Sequence, residues 1–416
     1  MKTLLKNPAQ IVTVSTGGKN YKRGKELNEI AVLENHSVIF ENDLIKDLIP
    51  NSSITNESNY KIIDVNDKVV LPGLVECHTH TAFAGSRASE FRLKLLGKSY
   101  EDIAKLGGGI NTTVSAVRNS TFEELVKLIS PRINYFIAQG ITTLEIKSGY
   151  GLDFENEIKL LQVIQHLQKL FPITIVPTFL GAHTIPTEMK ENRNAYIHEI
   201  THKMIPFIAE NDLAKFCDGF CESTAFSADE INLIFSHAQV FDLELKLHTE
   251  QFNSIGGIDV ALQHQASSID HLEVIKEKDI AKVAQSEITS VLLPGVSFFL
   301  NYNYAPARKL IDSGAIVALS TDFNPGSSNI ANLNFIMSLA ALKMKMTIEE
   351  TISAVTINAA NALLLSEEVG SLEIGKKADF AVFNTADYAD IVYNIGKNLN
   401  EITIKNGEVI YQNKFE

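Results

Sequence analysis

The sequence predicts an α/β fold, a (β/α)₈ TIM-like barrel with a small composite β-sandwich domain formed by both ends of the chain. Short apolar runs alternate with helix-like segments through the middle, which is typical of a parallel sheet. Both ends instead contain short strands separated by turn residues. With 416 residues, the chain is long enough for a barrel and an appended domain.

Residues 1–68 are predicted to form the N-terminal part of the β-domain. Apolar runs at 11–14, 38–40, 44–45 and 62–63 are typical of short strands, and Asn42 and Asn66 supply turn residues between them. Residues 366–416 are predicted to form the C-terminal part. There, Asn406 and Gly407 lie between two apolar runs, which is a strong signal for a β-hairpin.

Residues 69–365 are predicted to form the barrel, because they contain eight strand–helix units. The predicted strands lie near residues 69–79, 141–146, 173–181, 215–221, 243–248, 267–271, 289–293 and 315–321. Reciprocal capping pairs mark helix starts at Thr121 with Glu124, Ser227 with Glu230, and Thr347 with Glu350. A doubly wound open sheet is the alternative, but a barrel would bring all the strand ends to one focus.

Composition restricts the partners and the location. The chain has 37 Lys plus Arg against 50 Asp plus Glu, a net charge of −13, which argues against binding to nucleic acid or to an anionic membrane. The longest apolar stretch, around 291–300, is far too short to span a bilayer, and the N-terminus does not resemble a signal peptide. Three cysteines do not form a disulfide framework, so we expect a cytoplasmic protein. A homodimer is left open.

Histidines concentrate at the predicted strand ends. Of the 11 histidines, five lie there: His78, His80, His183, His248 and His271. A single histidine at a strand end is more often a core or surface residue, but that explanation does not account for the set. His78 and His80 are two apart on a strand and face the same side, and His248 and Asp322 end other strands. Three imidazoles and a carboxylate suit Zn²⁺ or Fe²⁺ better than Mg²⁺.

A second histidine motif lies between the third and fourth predicted strands. His198-Glu199-Ile-Thr-His202 matches the zinc-protease pattern in which two histidines bind zinc and the glutamate is the base. Lys203 follows directly and Pro206 lies soon after, in a segment where an outer barrel helix is expected. We therefore predict that this motif is structural rather than catalytic.

Several blocks resemble the amidohydrolase superfamily. Leu-Pro-Gly-Leu-Val-Glu-Cys-His-Thr-His at 71–80 and Gly-Lys-Lys-Ala-Asp-Phe at 375–380 are similar to motifs of the superfamily as a whole. More specific blocks lie at 83–87, 107–110, 145–152, 181–183, 220–226 and 320–326. Within the superfamily, these blocks are most similar to enzymes that open the ring of an imidazolone carboxylate during histidine degradation.

The resemblance implies a metal-dependent hydrolase that opens the cyclic amide of 4-imidazolone-5-propanoate to N-formimidoyl-L-glutamate. It implies one Zn²⁺ or Fe²⁺/Fe³⁺ ion per chain. The implied metal ligands are His78, His80, His248 and Asp322. Asp322 would also be the general base, and His271 would stabilise charge on the reacting carbonyl. The substrate contacts are expected at Arg87, Tyr150, His183, Gln251, Asn324, Gly326 and Ser327.

Gln251 departs from the pattern of the superfamily. Deaminases of the superfamily carry a glutamate at this position as a proton shuttle, and a glutamine cannot shuttle a proton. We assign Gln251 to substrate hydrogen bonding only and expect Glu250 on the opposite face of an extended segment. Arg87 is predicted to pair with the propionate carboxylate, with a surface ion pair as its alternative. The other functions considered are a heterocycle deaminase, disfavoured by Gln251, and a metabolite-binding barrel without turnover.

Overall fold

A computed structural model describes residues 2–97 and 108–413 of the chain. The N-terminal region forms short strands, as predicted. These strands are β1 (Lys2–Lys6), β2 (Gln10–Val12), β3 (Val32–Leu33), β4 (His36–Glu41), β5 (Leu44–Pro50), β6 (Lys61–Asp64) and β7 (Val69–Pro72). Strand β1 was not predicted. It pairs with β4 and β6 in a four-stranded sheet of order β5-β4-β1-β6.

The middle of the chain forms the predicted set of eight parallel strands, which confirms the barrel class. They are β8 (Leu74–Glu76), β9 (Ile141–Lys147), β10 (Thr174–Ala182), β11 (Phe216–Cys221), β12 (Glu244–Thr249), β13 (Ser268–His271), β14 (Thr289–Leu292) and β15 (Ile316–Leu319). Their order in the sheet follows the chain from β8 to β15. The side chains on the outer face pack against the surrounding helices in one large apolar core.

The two end strands of this sheet meet just beyond their carboxyl ends. Thr79 and Phe323 form a parallel bridge there. The Asp322 amide donates to the His78 carbonyl at 3.2 Å, and the His80 amide donates to the Phe323 carbonyl at 3.0 Å. The seam of the barrel is therefore held by the backbone of three predicted metal ligands.

Helices connect the strands. They span Ala88–Leu95, Ile110–Asn119, Phe122–Ile137, Phe154–Leu170, Arg193–Glu199, Ile205–Glu210, Ala228–Val240, Gly257–Gln263, Glu277–Ala284, Pro294–Leu300, Ala307–Asp312, Leu333–Met344, Ile348–Ala354, Ile357–Ala362 and Ala389–Tyr393. Short 3₁₀ turns span Gly24–Asn28, Asn51–Ser53, Glu57–Asn59 and Thr187–Asn192, and a π-helical turn spans Ile200–Met204. All three predicted capping pairs form reciprocal capping boxes.

The C-terminal region returns to the β-domain. Strands β16 (Phe380–Phe383), β17 (Asn400–Lys405) and β18 (Glu408–Gln412) join β7, β2 and β3 in a six-stranded sheet of order β18-β17-β16-β7-β2-β3. Asn406 and Gly407 form the predicted turn between β17 and β18, both with positive φ. Apolar side chains of this sheet and of the four-stranded sheet share one core, which makes the β-domain a sandwich built from both ends.

The strand predicted near 69–79 is divided between the two regions. Val69–Pro72 pairs with β16 and β2 in the β-domain, whereas Leu74–Glu76 pairs with β9 in the barrel. Gly73 separates them, and a Cβ atom there would lie 2.3 Å from Thr142 Oγ1. The sequence shows one continuous apolar run, so the division depends on pairing that the pattern alone does not reveal. The proposed domain boundaries at 68/69 and 365/366 stay predictions.

The other expectations about the fold concern cysteines and membrane spans. Cys77, Cys217 and Cys221 are buried and free, as expected for small core residues. Across residues 2–97 and 108–413, the protein has no helix that is both long enough and apolar enough to cross a bilayer. Gly107, the first residue of the 107–110 block, lies outside the described residues.

Candidate active site

The four predicted metal ligands lie together at the carboxyl end of the barrel. Asp322 Oδ1 lies 3.3 Å from His78 Nε2 and 3.2 Å from His80 Nε2. His248 Nε2 lies 3.3 Å from His80 Nε2. All four residues are buried. Within the described part of the chain, His78 Nε2 and Asp322 Oδ1 have no hydrogen-bond partner, so two buried polar atoms are directed at one point. A metal ion fits this arrangement.

The protonation states also suit a metal ion. Burial lowers the pKa of His80 and lowers that of His248 to about 3, so both rings are neutral and can ligate. Burial tends to raise the pKa of Asp322, but the adjacent His78 and His80 side chains hold it well below its usual range. Burial lowers the pKa of His78, but Asp270 and Asp322 outweigh it and raise the value to about 9. A metal ion must therefore displace a proton from His78.

Two buried carboxylates orient two of the predicted ligand histidines. Asp270 Oδ2 lies 2.5 Å from His78 Nδ1, and Asp218 Oδ1 lies 3.1 Å from His248 Nδ1. Because a carboxylate accepts, each Nδ1 carries the proton and each Nε2 faces the metal position. Sequence reasoning missed both roles. The available signal was an isolated acidic residue within an apolar strand, as in Phe-Cys-Asp-Gly-Phe-Cys at 216–221.

A buried network of charged side chains lies next to the predicted metal ligands. Sequence reasoning also missed this network. Lys147 Nζ lies 2.7 Å from Glu145 Oε1 and 2.9 Å from Asp218 Oδ2. Lys246 Nζ lies 3.7 Å from Glu145 Oε1 and donates to the Cys77 carbonyl at 3.0 Å. The side chains of the four charged residues are fully buried. Lys147 thus balances Asp218, one of the two carboxylates that orient the histidines, which lowers the cost of burying that charge.

His271 reaches the same site from the end of β13. Its ring centroid lies 5.4 Å from that of His248 and 6.0 Å from that of His78. Its φ is +91°, in a region that non-glycine residues rarely adopt. Its Nδ1 lies 3.5 Å from Glu273 Oε1. Backbone strain of this kind persists where surrounding structure enforces it, which is common at active sites.

Two of the predicted substrate residues, Tyr150 and His183, border the predicted metal ligands on one side. The His183 ring stacks on that of His80 with centroids 5.2 Å apart, and Tyr150 lies 5.4 Å from His183 and 5.9 Å from His80. His183 Nδ1 contacts the Gly149 carbonyl oxygen at 2.9 Å. Burial lowers the pKa of His183, so its ring is neutral. Since a carbonyl oxygen only accepts, Nδ1 carries the proton and Nε2 is an acceptor.

Arg87 lies against the loop after β15. A Cβ atom on Gly326 would lie 2.1 Å from Arg87 Nη1, so the glycine makes room for the guanidinium. Arg87 Nε donates to Glu90 Oε2 at 2.8 Å. The side chains of this ion pair are only 11% and 9% exposed, so the pair is not a surface one.

The Asn324 side chain organises the same loop. Its Nδ2 donates to Asp322 Oδ2 at 3.0 Å and to Ser327 Oγ at 2.9 Å. Its Oδ1 accepts from the amides of Gly326 at 2.8 Å and of Ser327 at 2.7 Å. Asn324 therefore holds Asp322 in place, which is a role that sequence reasoning did not assign. Substrate contacts of Asn324, Gly326 and Ser327 stay predictions.

The segment after His248 differs from the expected extended one. Glu250 has φ of +58°, so the backbone turns there. Its side chain is buried beside Ser254, and burial raises its pKa to about 7. Gln251 is 5% exposed. Glu222 fixes the following turn, since its Oε2 accepts from the amides of Phe252 and Asn253, both at 3.0 Å.

The second histidine motif lies on the outside of the barrel, as predicted. The motif lies between β10 and β11 in the chain. His198 and His202 are exposed, and their rings stack on each other with centroids 4.1 Å apart. A π-helical turn contains His202. The predicted metal ligands come from other elements of the fold.

The fold and the site together define a metal-dependent hydrolase of the amidohydrolase class, and residues 69–410 match the model of the Amidohydrolase family. Imidazolonepropionase from Clostridium tetani is 41% identical over 415 residues, covering 99% of each chain. Imidazolonepropionase from Flavobacterium johnsoniae is 41% identical over 411 residues, covering 99% of this chain and all of the relative. The chain belongs to the imidazolonepropionase family, and it is an enzyme of the hydrolase class.

Solved structures support the fold. A zinc-bound adenosine deaminase from Xanthomonas campestris superposes with a TM-score of 0.72 at 16% identity, covering 98% of this chain and 92% of that one. The guanine deaminase of E. coli gives 0.72 at 14% identity over the full length of both chains. At these identities the likeness concerns the architecture alone.

Proposed function

We propose that this enzyme hydrolyses the cyclic amide of 4-imidazolone-5-propanoate to N-formimidoyl-L-glutamate, using one Zn²⁺ or iron ion per chain. Membership of the imidazolonepropionase family supports the reaction. The observation that carries the site assignment is the convergence of four buried ligand side chains. Those side chains belong to His78, His80, His248 and Asp322.

A metal at this position would supply a Lewis acid that lowers the pKa of water and polarises a carbonyl. Asp322 is ionised and lies at that position, so it can take the proton of the attacking water. The same carboxyl group then passes this proton to the ring nitrogen as the C–N bond breaks. Asn324 keeps the Asp322 carboxylate oriented through both transfers. His271, whose ring centroid lies 5.4 Å from that of His248, would stabilise the developing charge on the carbonyl oxygen.

Charge explains how an acidic protein would select an anionic substrate. The chain carries a net charge of −13, so the carboxylate tail needs a local cation. Arg87 lies on the loop that follows the first barrel strand and reaches Gly326 on the loop after the last. Glu90 accepts a hydrogen bond from Arg87 Nε and so fixes the direction of the guanidinium group. A fixed guanidinium fits a carboxylate through two parallel hydrogen bonds.

Loss of the ultraviolet absorbance of 4-imidazolone-5-propanoate tests this function directly. Purified protein with about one Zn or Fe per chain should open the ring. Binding of the compound without turnover would support a metabolite-binding barrel instead. Ammonia release from heterocyclic amines would support a deaminase, against the argument from Gln251. We further propose a cytoplasmic location and a homodimer, and elemental analysis would identify the native metal as Zn or Fe.

A further inference from the structure

One buried carboxylate outside the metal site has no role in the mechanism described so far. We propose that Glu157 is a positioning residue for substrate binding, because it fixes the loop of residues 148–152 that presents Tyr150 and orients His183. This inference rests on the proposed function. Among the described residues, backbone amides of this loop donate hydrogen bonds to the Glu157 carboxylate, so its effect on substrate passes through other residues.

The Glu157 carboxylate accepts hydrogen bonds from three backbone amides of this loop. It lies in the first turn of the helix Phe154–Leu170 and folds back towards the preceding residues. Its Oε1 accepts from Gly151 at 2.7 Å and Leu152 at 2.9 Å, and its Oε2 accepts from Gly149 at 3.0 Å. The side chain is fully buried. Charge-assisted hydrogen bonds in such a setting are short, directional and costly to lose.

Arg118 donates hydrogen bonds to the backbone carbonyl groups of the same loop. Its Nε donates to the Gly151 oxygen at 2.8 Å, and its Nη2 donates to the Leu152 oxygen at 3.1 Å. Leu152 has φ of +53°, a conformation that a leucine adopts only under constraint. The loop is thus fixed through its amides on one side by Glu157 and through its carbonyls on the other by Arg118.

The fixed loop controls two groups that border the metal ligands. The Gly149 carbonyl accepts from His183 Nδ1, which leaves His183 Nε2 as an acceptor for a ring N–H of the substrate. Tyr150 lies beside the same imidazole. The metal ligands lie on other strand ends, so relaxing the loop should weaken substrate binding without disturbing the metal.

The test compares ring opening of 4-imidazolone-5-propanoate by the metal-loaded wild type and by Glu157→Gln. Glutamine keeps the size of the side chain, but it loses the charge and can turn an NH₂ group towards three amide donors. We expect KM to rise about ten- to hundredfold with kcat within about threefold, because the loop contributes binding rather than chemistry. Metal content should equal that of the wild type. Glu155→Gln is the matched control, since Glu155 is exposed on the same helix.

A structural role would look different. If Glu157→Gln lowered kcat in proportion to the folded fraction at an unchanged KM, the positioning role would be overturned. If that variant did not fold, Arg118→Met would replace it, with a raised KM expected and an unchanged KM counting against the inference. A wild type that does not open the ring would refute the proposed function itself, so the two failures are distinguishable.

Discussion

Replacing Asp218 by asparagine should weaken the metal site without removing a ligand. Asp218 accepts from His248 Nδ1 at 3.1 Å and pairs with Lys147 Nζ at 2.9 Å, with no side-chain exposure. Asparagine can still accept from the imidazole, but it lacks the charge that increases the basicity of His248. Loss of such an outer carboxylate typically costs about 10–100-fold in metal affinity. This range corresponds to about 1.4–2.7 kcal/mol.

The structure indicates that this loss should appear as affinity rather than as unfolding. Lys147 keeps Glu145 as a partner at 2.7 Å, so its buried charge stays paired in the variant. Competition with a chelator of known affinity would measure the metal dissociation constant of wild type and variant. Asp259→Asn is the matched control, because the Asp259 side chain is 66% exposed and pairs with Lys282 at the surface. Equal metal affinity in Asp218→Asn and wild type would refute the assignment of Asp218 as the group that orients His248.

Three further predictions concern the ligands, the outer motif and the substrate tail. His248→Ala should abolish ring opening and strip most of the metal, measured by turnover and elemental analysis, and full metal occupancy would contradict the ligand set. His198→Ala and His202→Ala should each keep near-wild-type metal content and turnover, and loss of metal in either would reopen the zinc-protease interpretation. Arg87→Met should lower kcat/KM for 4-imidazolone-5-propanoate by roughly thirty- to thousandfold, because losing the ion pair with the propionate carboxylate costs about 2–4 kcal/mol of binding free energy. A tail-less imidazolone should be almost unaffected, and equal losses for both compounds would make Arg87 structural.

The sequence was sufficient for the parts of the fold that depend on local pattern. Strand–helix alternation predicted the eight barrel strands, and the pairs of capping residues predicted three helix starts. Asn406-Gly407 predicted the C-terminal hairpin because a tight turn needs residues that tolerate positive φ. The pairing of Val69–Pro72 with Phe380–Phe383 was missed, because it joins two strands that lie far apart in the chain.

The same distinction holds for the site. Strand-end histidines were recognisable because the carboxyl ends of parallel strands meet at one face of a barrel. Asp218 and Lys147 were missed because their roles depend on which strands are neighbours and on side chains facing the barrel interior. The turn at Glu250 was also missed, since its positive φ is not favoured by a glutamate and is enforced by the surrounding structure.

The seam between the first and last barrel strands has a consequence for how the protein becomes stable. His78 and His80 lie on one side of that seam and Asp322 on the other, so an ion bound by all three would link the first and last barrel strands. Part of its binding free energy would then be folding free energy, about 2.7 kcal/mol when free metal is at a hundred times its dissociation constant. Because the site needs residues from both ends of the barrel, a growing chain could not complete it until Asp322 had been synthesised. Chelation of the metal would correspondingly remove this contribution to stability.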